Sequence, residues 1–341
     1  MERASQPVTD EVGGVHDAVI QQRAQRLRRL GALGVEAIGI TTFFVAIVIY
    51  FSTATHQFLT YSNTINILSN VSVIGMVSIG QTLVIISGGF DLSVSGTVPL
   101  GAVVYASLTN SGLNPLVAMI VIVGVGAVVG LANGLVITRV GINPLITTLG
   151  TLSITGGLAQ TITGGLTTTF TNPDAANIAA TTVGDIPNYV WVLVLLSIGG
   201  FLTLRYTVFG RSIYAMGGNR EASRLVGMRV DLITIAVYML CGALASFAGI
   251  VVASELLAGS ATLGNDSALS SIAAVILGGG SLTGGIGGVP GTLVGVLVLG
   301  TIANGMALMQ VPAFYQQIAT GAILLLAVGF GRLRTLFGRE S

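Results

Sequence analysis

The sequence predicts an all-α integral membrane protein of about ten transmembrane helices. Three observations predict it. Hydrophobic residues make up 52% of the 341-residue chain and charged residues 8%, with a mean hydropathy of +0.89. Soluble domains carry about 25% charge, so this chain cannot cover a water-facing surface. Apolar stretches close to the ~20 residues that cross a bilayer recur along it. Its arginines fall into clusters separated by an even number of such stretches.

The stretches lie at roughly 32–53, 64–87, 94–110, 114–137, 143–164, 188–207, 232–255, 266–282, 287–309 and 313–331. The third and eighth abut glycine clusters. Arg23, Arg26, Arg28 and Arg29 precede the first, and Arg139 lies between the fourth and fifth. Arg205, Arg211, Arg220, Arg224 and Arg229 lie between the sixth and seventh; Arg332, Arg334 and Arg339 follow the tenth. Short cytoplasmic loops collect basic residues, so these clusters and both termini are expected in the cytoplasm. The opposite loops hold no arginine, including the long TTTFTNPDAANIAATTVGDIPN at 167–188. The domain division follows: a polar tail with a basic cuff (RAQRLRRLG) over 1–30, a membrane domain over 31–331 with a cytoplasmic loop at 207–231, and a short tail over 332–341. No short apolar core with a small-residue cleavage site opens the chain, so a secretory signal is not expected.

The 48 glycines are unevenly placed. Gly126, Gly130 and Gly134, and Gly287, Gly291 and Gly295, recur at four-residue spacing, which lets helix backbones approach closely. SGGFDLSVSG (87–96) and GGGSLTGGIGG (278–288) are too glycine-rich for regular helix. Both follow an inward-going span, which hints at an internal repeat. Between 219 and 227 stands a very short helix. Asn219 is an N-cap, Glu221 and Arg224 suit the two ends of the dipole, and Gly227 is a C-terminal stop. About seven residues are too few for an isolated helix, so this one must lie against something. Ala222, Leu225 and Val226 form an apolar patch with Arg220 and Arg224 around it. The helix either folds onto its own bundle or docks a cytoplasmic partner.

Catalytic machinery is not in evidence. The chain has no GxSxG elbow and no HExxH, and with no lysine it has no P-loop lysine to reach nucleotide phosphates. Catalytic residues: none are expected. Cys241 is the single cysteine, and His16 and His56 stand far apart, so neither a disulfide nor a metal site is expected. A net charge of +1 argues against nucleic acid. The spans hold neutral polar side chains: Gln81, Asn133, Asn143, Thr147, Thr148, Gln160 and Asn304. They read either as interhelical hydrogen bonds or as the lining of a route for a neutral polyhydroxy solute. An anion would be badly served, because no span carries arginine in its interior, Arg205 standing at the end of the sixth. Asp91 either caps a helix restarting at Leu92 or places its carboxylate near that route.

GRSIYAMGGNREASRLVGM (210–228) resembles the cytoplasmic loop of ABC-importer permeases of the ribose/xylose/galactoside class. GGFDLSVSG (88–96), TLGTLSITGGLA (148–159) and GGGSLTGGIGGVPGTLVG (278–295) are similar to further motifs of that family, and the resemblance covers about 35–331. One departure is visible: the family reads DLSVGS, whereas Ser95 and Gly96 are exchanged here. The resemblance implies a type II-like ABC importer permease bundle of ten helices in the bacterial cytoplasmic membrane. It implies a coupling helix for a separate ATPase, using Gly218, Asn219, Arg220, Glu221, Ala222, Arg224, Leu225 and Gly227. It further implies a second permease subunit, identical or related, and an extracytoplasmic sugar-binding protein. No cofactor is expected on this chain; ATP and Mg belong to the ATPase subunit. The expected function is import of a sugar or related neutral polyhydroxy solute. The alternatives are the same machinery for a nucleoside, a cyclic polyol or a furanosyl signal, and a secondary carrier working alone.

Overall fold

The computed structural model describes residues 39–337. The expected tail and basic cuff fall on residues 1–38, outside the described range, as do residues 338–341. Helices stand at all ten expected stretches: α1 (Gly39–Ala54), α2 (Tyr61–Ile86), α3 (Val94–Asn110), α4 (Pro115–Leu135), α5 (Pro144–Thr163), α7 (Asn188–Tyr206), α10 (Val230–Leu256), α11 (Ser267–Leu277), α12 (Val289–Leu308) and α13 (Ala313–Phe337). Short helices α6 (Asn177–Ala180), α8 (Val208–Gly218) and α9 (Arg220–Leu225) lie between them. A π-turn, Val136–Val140, carries α4 on to Gly141.

The ends follow local chemistry. Asn114 and Asn143 cap α4 and α5, each side-chain oxygen accepting from the N–H two residues on at 2.9 Å, with proline at the first helical position. Asn143 is therefore occupied as a cap. Gly88, Gly141 and Gly164 adopt positive φ where α2, the α4 π-turn and α5 stop, conformations that glycine alone takes freely.

Helices α2 and α10 form the centre. The apolar window of α2 is 83% buried, against 22% for α4. Helix α4 lies along α10, and the glycine stripe explains the closeness. A Cβ at Gly126, Gly130 or Gly134 would strike Gly242, Tyr238 or Ile235. Gly291 and Gly295 press on Gly278 and Ala274 of α11 and its end in the same way. Gly287 precedes α12, so that expected stripe has two members rather than three.

Three expectations need correction. The eighth stretch is only the 11-residue α11, which rises about 16 Å against a ~30 Å hydrocarbon core. The chain then continues as the glycine loop at 278–288. Second, the region read as plain loop before Asn219 contains an 11-residue helix, α8. Thr207 starts it, its hydroxyl accepting from the Gly210 N–H at 3.0 Å. Third, α13 continues to Phe337, beyond the expected end at 331.

The long arginine-free loop folds over its end of the bundle. Thr168–Thr169 (β1) pairs with Ala258–Gly259 (β4), and Thr182–Val183 (β2) pairs with Ile186–Pro187 (β3) around Gly184 and Asp185, both at positive φ. The Ala175 carbonyl accepts from Tyr105 at 3.1 Å and from Ser254 at 3.0 Å, which ties this cap to α3 and α10.

Candidate functional site

At the arginine-bearing end, α9 is built as a mounted helix. The Asn219 side chain accepts from the Ala222 N–H at 2.9 Å, and Gly227 turns the chain out at φ +80°. The Met228 N–H donates to the Ser223 carbonyl at 3.1 Å, closing the last turn. Arg224 pairs with Asp231 at 2.8 Å and Arg220 donates to Thr234 at 3.1 Å, so both basic side chains fasten α9 to the start of α10. Burial lowers the Arg220 pKa from its ordinary value, the neighbouring Arg224 adding to this and Asp231 opposing it. The opposite face is bare. Leu225 is 87% and Val226 76% exposed, beside exposed Ala222. An apolar patch on so small and well-fixed a helix suits a protein contact. Glu221 is exposed in the first turn, and Gly218 closes α8 with open space around it.

Beneath α9 the two glycine breaks meet. The Gly285 N–H donates to the Ile86 carbonyl at 2.8 Å, and the Tyr214 hydroxyl donates to the Gly287 carbonyl at 2.8 Å. A Cβ on Gly217 would strike the Ile86 carbonyl and stand 2.6 Å from the Gly285 nitrogen; one on Gly284 would stand 2.9 Å from Gly88 Cα. Backbone from α8, the end of α2 and the 278–288 loop is thus in direct contact.

Just inside this crossing lies a buried polar chain. Thr151 donates to the Asn133 side-chain oxygen at 2.6 Å, and Asn133 donates to the Ser93 hydroxyl at 2.9 Å. Ser93 donates to Asp91 Oδ1 from its hydroxyl at 2.5 Å and from its N–H at 3.0 Å. The Gln81 amide, oriented by its neighbours, donates to the Asp91 carbonyl and accepts from the Asp91 N–H, both at 3.3 Å. Asp91, Gln81 and Asn133 are all fully buried. Helix α3 starts at Val94, not Leu92, with Ser93 at its N-cap position. Asp91 therefore fastens the turn before the helix rather than the helix itself.

The expected pathway residues do not form one lining. Gln81, Asp91 and Asn133 converge. Thr148 lies nearby, its hydroxyl donating to the Pro144 carbonyl at 2.9 Å, while the buried Thr147 hydroxyl has no partner among the described residues. Gln160 is exposed on the outer face of α5. Asn304 is at the other end of the bundle, bonded to Asn63. Ser93, Thr151 and Tyr238, which donates to the Phe90 carbonyl at 3.0 Å, complete the cluster. The sequence gives little sign of them, since serine and threonine recur throughout its spans.

Residues 63–328 match the family described as the branched-chain amino acid transport system / permease component. The ribose import permease protein RbsC of Escherichia coli (strain K12) is 37% identical over 289 residues, 81% of this chain and 88% of that protein. RbsC of Bacillus subtilis (strain 168) is also 37% identical, over 85% of this chain and 90% of that protein.

The chain belongs to this family of transport permeases.

A third permease relative, the D-allose transport system permease protein AlsC of Escherichia coli (strain K12), is 34% identical over 86% of this chain and 91% of that protein. No solved structure matches the chain. As a member of the permease family, the chain is an all-α, multi-pass membrane protein, and both glycine breaks and the α8–α9 loop lie inside the matched region.

Proposed function

We propose that the chain is the membrane-spanning permease subunit of an ATP-driven importer for a sugar or related neutral polyhydroxy solute. The carrying observation is that relatives named for ribose and allose transport match more than four-fifths of its length. The charge pattern supports the solute class. Among the described residues the membrane helices keep arginine only at their ends, so a carboxylate or phosphate crossing them would lack a counter-charge and be costly to desolvate. The same point disfavours an amino acid, which the family description names. Sugar hydroxyls need only neutral donors and acceptors, which the buried amides and hydroxyls supply.

The reading divides the labour among several chains. This chain pairs with a second permease subunit in the bacterial cytoplasmic membrane. A separate ATPase binds ATP and Mg and pushes on α9 through Ala222, Leu225 and Val226. A sugar-binding protein delivers the solute from the other side. Exposed on α5, Ser153, Gln160 and Thr161 stand among Ile154, Leu158 and Ile162, a mixed surface that suits a subunit boundary.

The test is uptake of radiolabelled D-ribose, L-arabinose, D-allose and an organic anion by cells with the intact system and by a deletion strain, with co-purification of an ATPase. Loss of sugar uptake and a co-purifying ATPase are expected. Loss of anion uptake with every neutral sugar spared would overturn the solute class. A permease that transports without an ATPase would overturn the coupled mechanism.

A further inference from the structure

At the arginine-free end of the bundle a cleft of about 500 Å³ opens between the outer ends of α2, α7, α10 and α12. That volume lies in the range of small-molecule sites, ~300–1,000 Å³. Its floor is rigid. Asn63 and Asn304 exchange two side-chain hydrogen bonds, at 3.0 and 2.9 Å, and Asn63 also donates to the Phe58 carbonyl at 2.8 Å. Its wall is polar without internal cause. Asn63, Asn66 and Asn70 recur at helical spacing along one face of α2, the most deeply buried span. Tyr189 of α7 and Glu255 of α10 face them. Among the described residues Asn66, Asn70 and Glu255 make no hydrogen bond or ion pair. Asn66, Asn70 and Glu255 are exposed at this outer end, so their amide and carboxylate groups stand open to whatever enters the cleft.

We propose that this cleft is a binding subsite for a neutral polyhydroxy solute, held by Asn66, Asn70 and Glu255 over the Asn63–Asn304 floor. The proposal rests on the importer reading and adds a place to it. Each amide offers both a donor and an acceptor, as each sugar hydroxyl does, and a carboxylate can accept from two adjacent hydroxyls. No cationic side chain lines the cleft, so an organic anion would meet Glu255 unopposed. The cleft sits over the core helix of this one chain, so a single permease subunit carries a complete subsite.

The experiment uses the intact importer in lipid nanodiscs, with Cys241→Ser as background. A single cysteine is placed at Ala307, which is exposed and lines the cleft without being one of the holding residues, and another at the exposed Leu166 on the same end as a control. Labelling by a membrane-impermeant maleimide is timed with D-ribose, L-arabinose, D-allose, gluconate or choline present. A neutral sugar should slow labelling at residue 307 by about tenfold at ten times its dissociation constant, and leave residue 166 unchanged. Adding Glu255→Gln should raise the sugar concentration needed by roughly tenfold. Protection by gluconate or choline in place of sugars would overturn the proposed chemistry. No protection while the same system still imports one of these sugars would overturn the subsite and leave the importer reading intact. Protection in a system that imports no sugar would keep the subsite and overturn that reading.

Discussion

Asp91 takes both of its hydrogen bonds on one oxygen, from the Ser93 N–H and hydroxyl, and leaves the other buried and unpartnered. Asp91→Asn keeps that acceptor and should unfold thermally near the wild type. Asp91→Ala strands the Ser93 donors, which costs about 1–3 kcal/mol for a buried group. An alanine variant as heat-stable as the parent would mean that the carboxylate does not hold the turn. If the asparagine variant is stable yet imports nothing, the charge itself serves transport. Sequence alone made Asp91 conspicuous, as an acid after a glycine break in an apolar chain. It did not disclose the two-residue delay before the helix, because Ser93 takes the cap position while its hydroxyl serves the carboxylate. Ala222 is a simpler case. It is exposed, so Ala222→Arg should fold and insert, but in an apolar docking contact an unpaired charge costs several kcal/mol. Solute-stimulated ATPase activity and uptake should both collapse; unchanged values would remove α9 as the coupling element.

At the level of elements, α8 and α11 are where pattern reading fell short. Helix α8 has 11 residues, too few to register as a span, and it sits in the stretch that holds most of the internal arginines. Its buried side, Ile213 and Met216, is narrow. Helix α11 looked longer because apolar Leu277 and Leu282 flank the glycine run. By contrast α9 was readable almost to the residue, since capping chemistry is local. The glycine crossing gives a paired test. Gly217→Ala would drive a methyl into the Ile86 carbonyl, whereas Gly218, one residue on, has nothing within 4 Å. Overpacking costs about 1–3 kcal/mol, so Gly217→Ala should lower the Tm of the purified permease and Gly218→Ala should not. Equal Tm values would show that the crossing relaxes without strain.

For the whole molecule, arginine placement and span length were enough to order ten helices, because both report on the membrane rather than on any one contact. The cleft was not legible. Its walls come from four helices far apart in sequence, and only folding brings Asn66 opposite Glu255. The predicted sidedness can be checked in the Cys241→Ser background with single cysteines at Asn177 and Leu225. Ser223 is unsuitable, being only 5% exposed. The two should label from opposite faces of the membrane; labelling from the same face would dismantle the ordering. The contact of Gly217, Gly284 and Gly88 has a mechanical consequence as well. Side chains at an ordinary helix contact can change rotamer and absorb a small displacement. Bare backbones have no such slack, so this joint behaves as a strut rather than a cushion. A push on α9 reaches Ile86 with little lost on the way, and Ile86 ends a 26-residue rod about 39 Å long whose far end carries Asn63, Asn66 and Asn70. One stiff lever therefore links the α9 end of the protein to the mouth of the cleft.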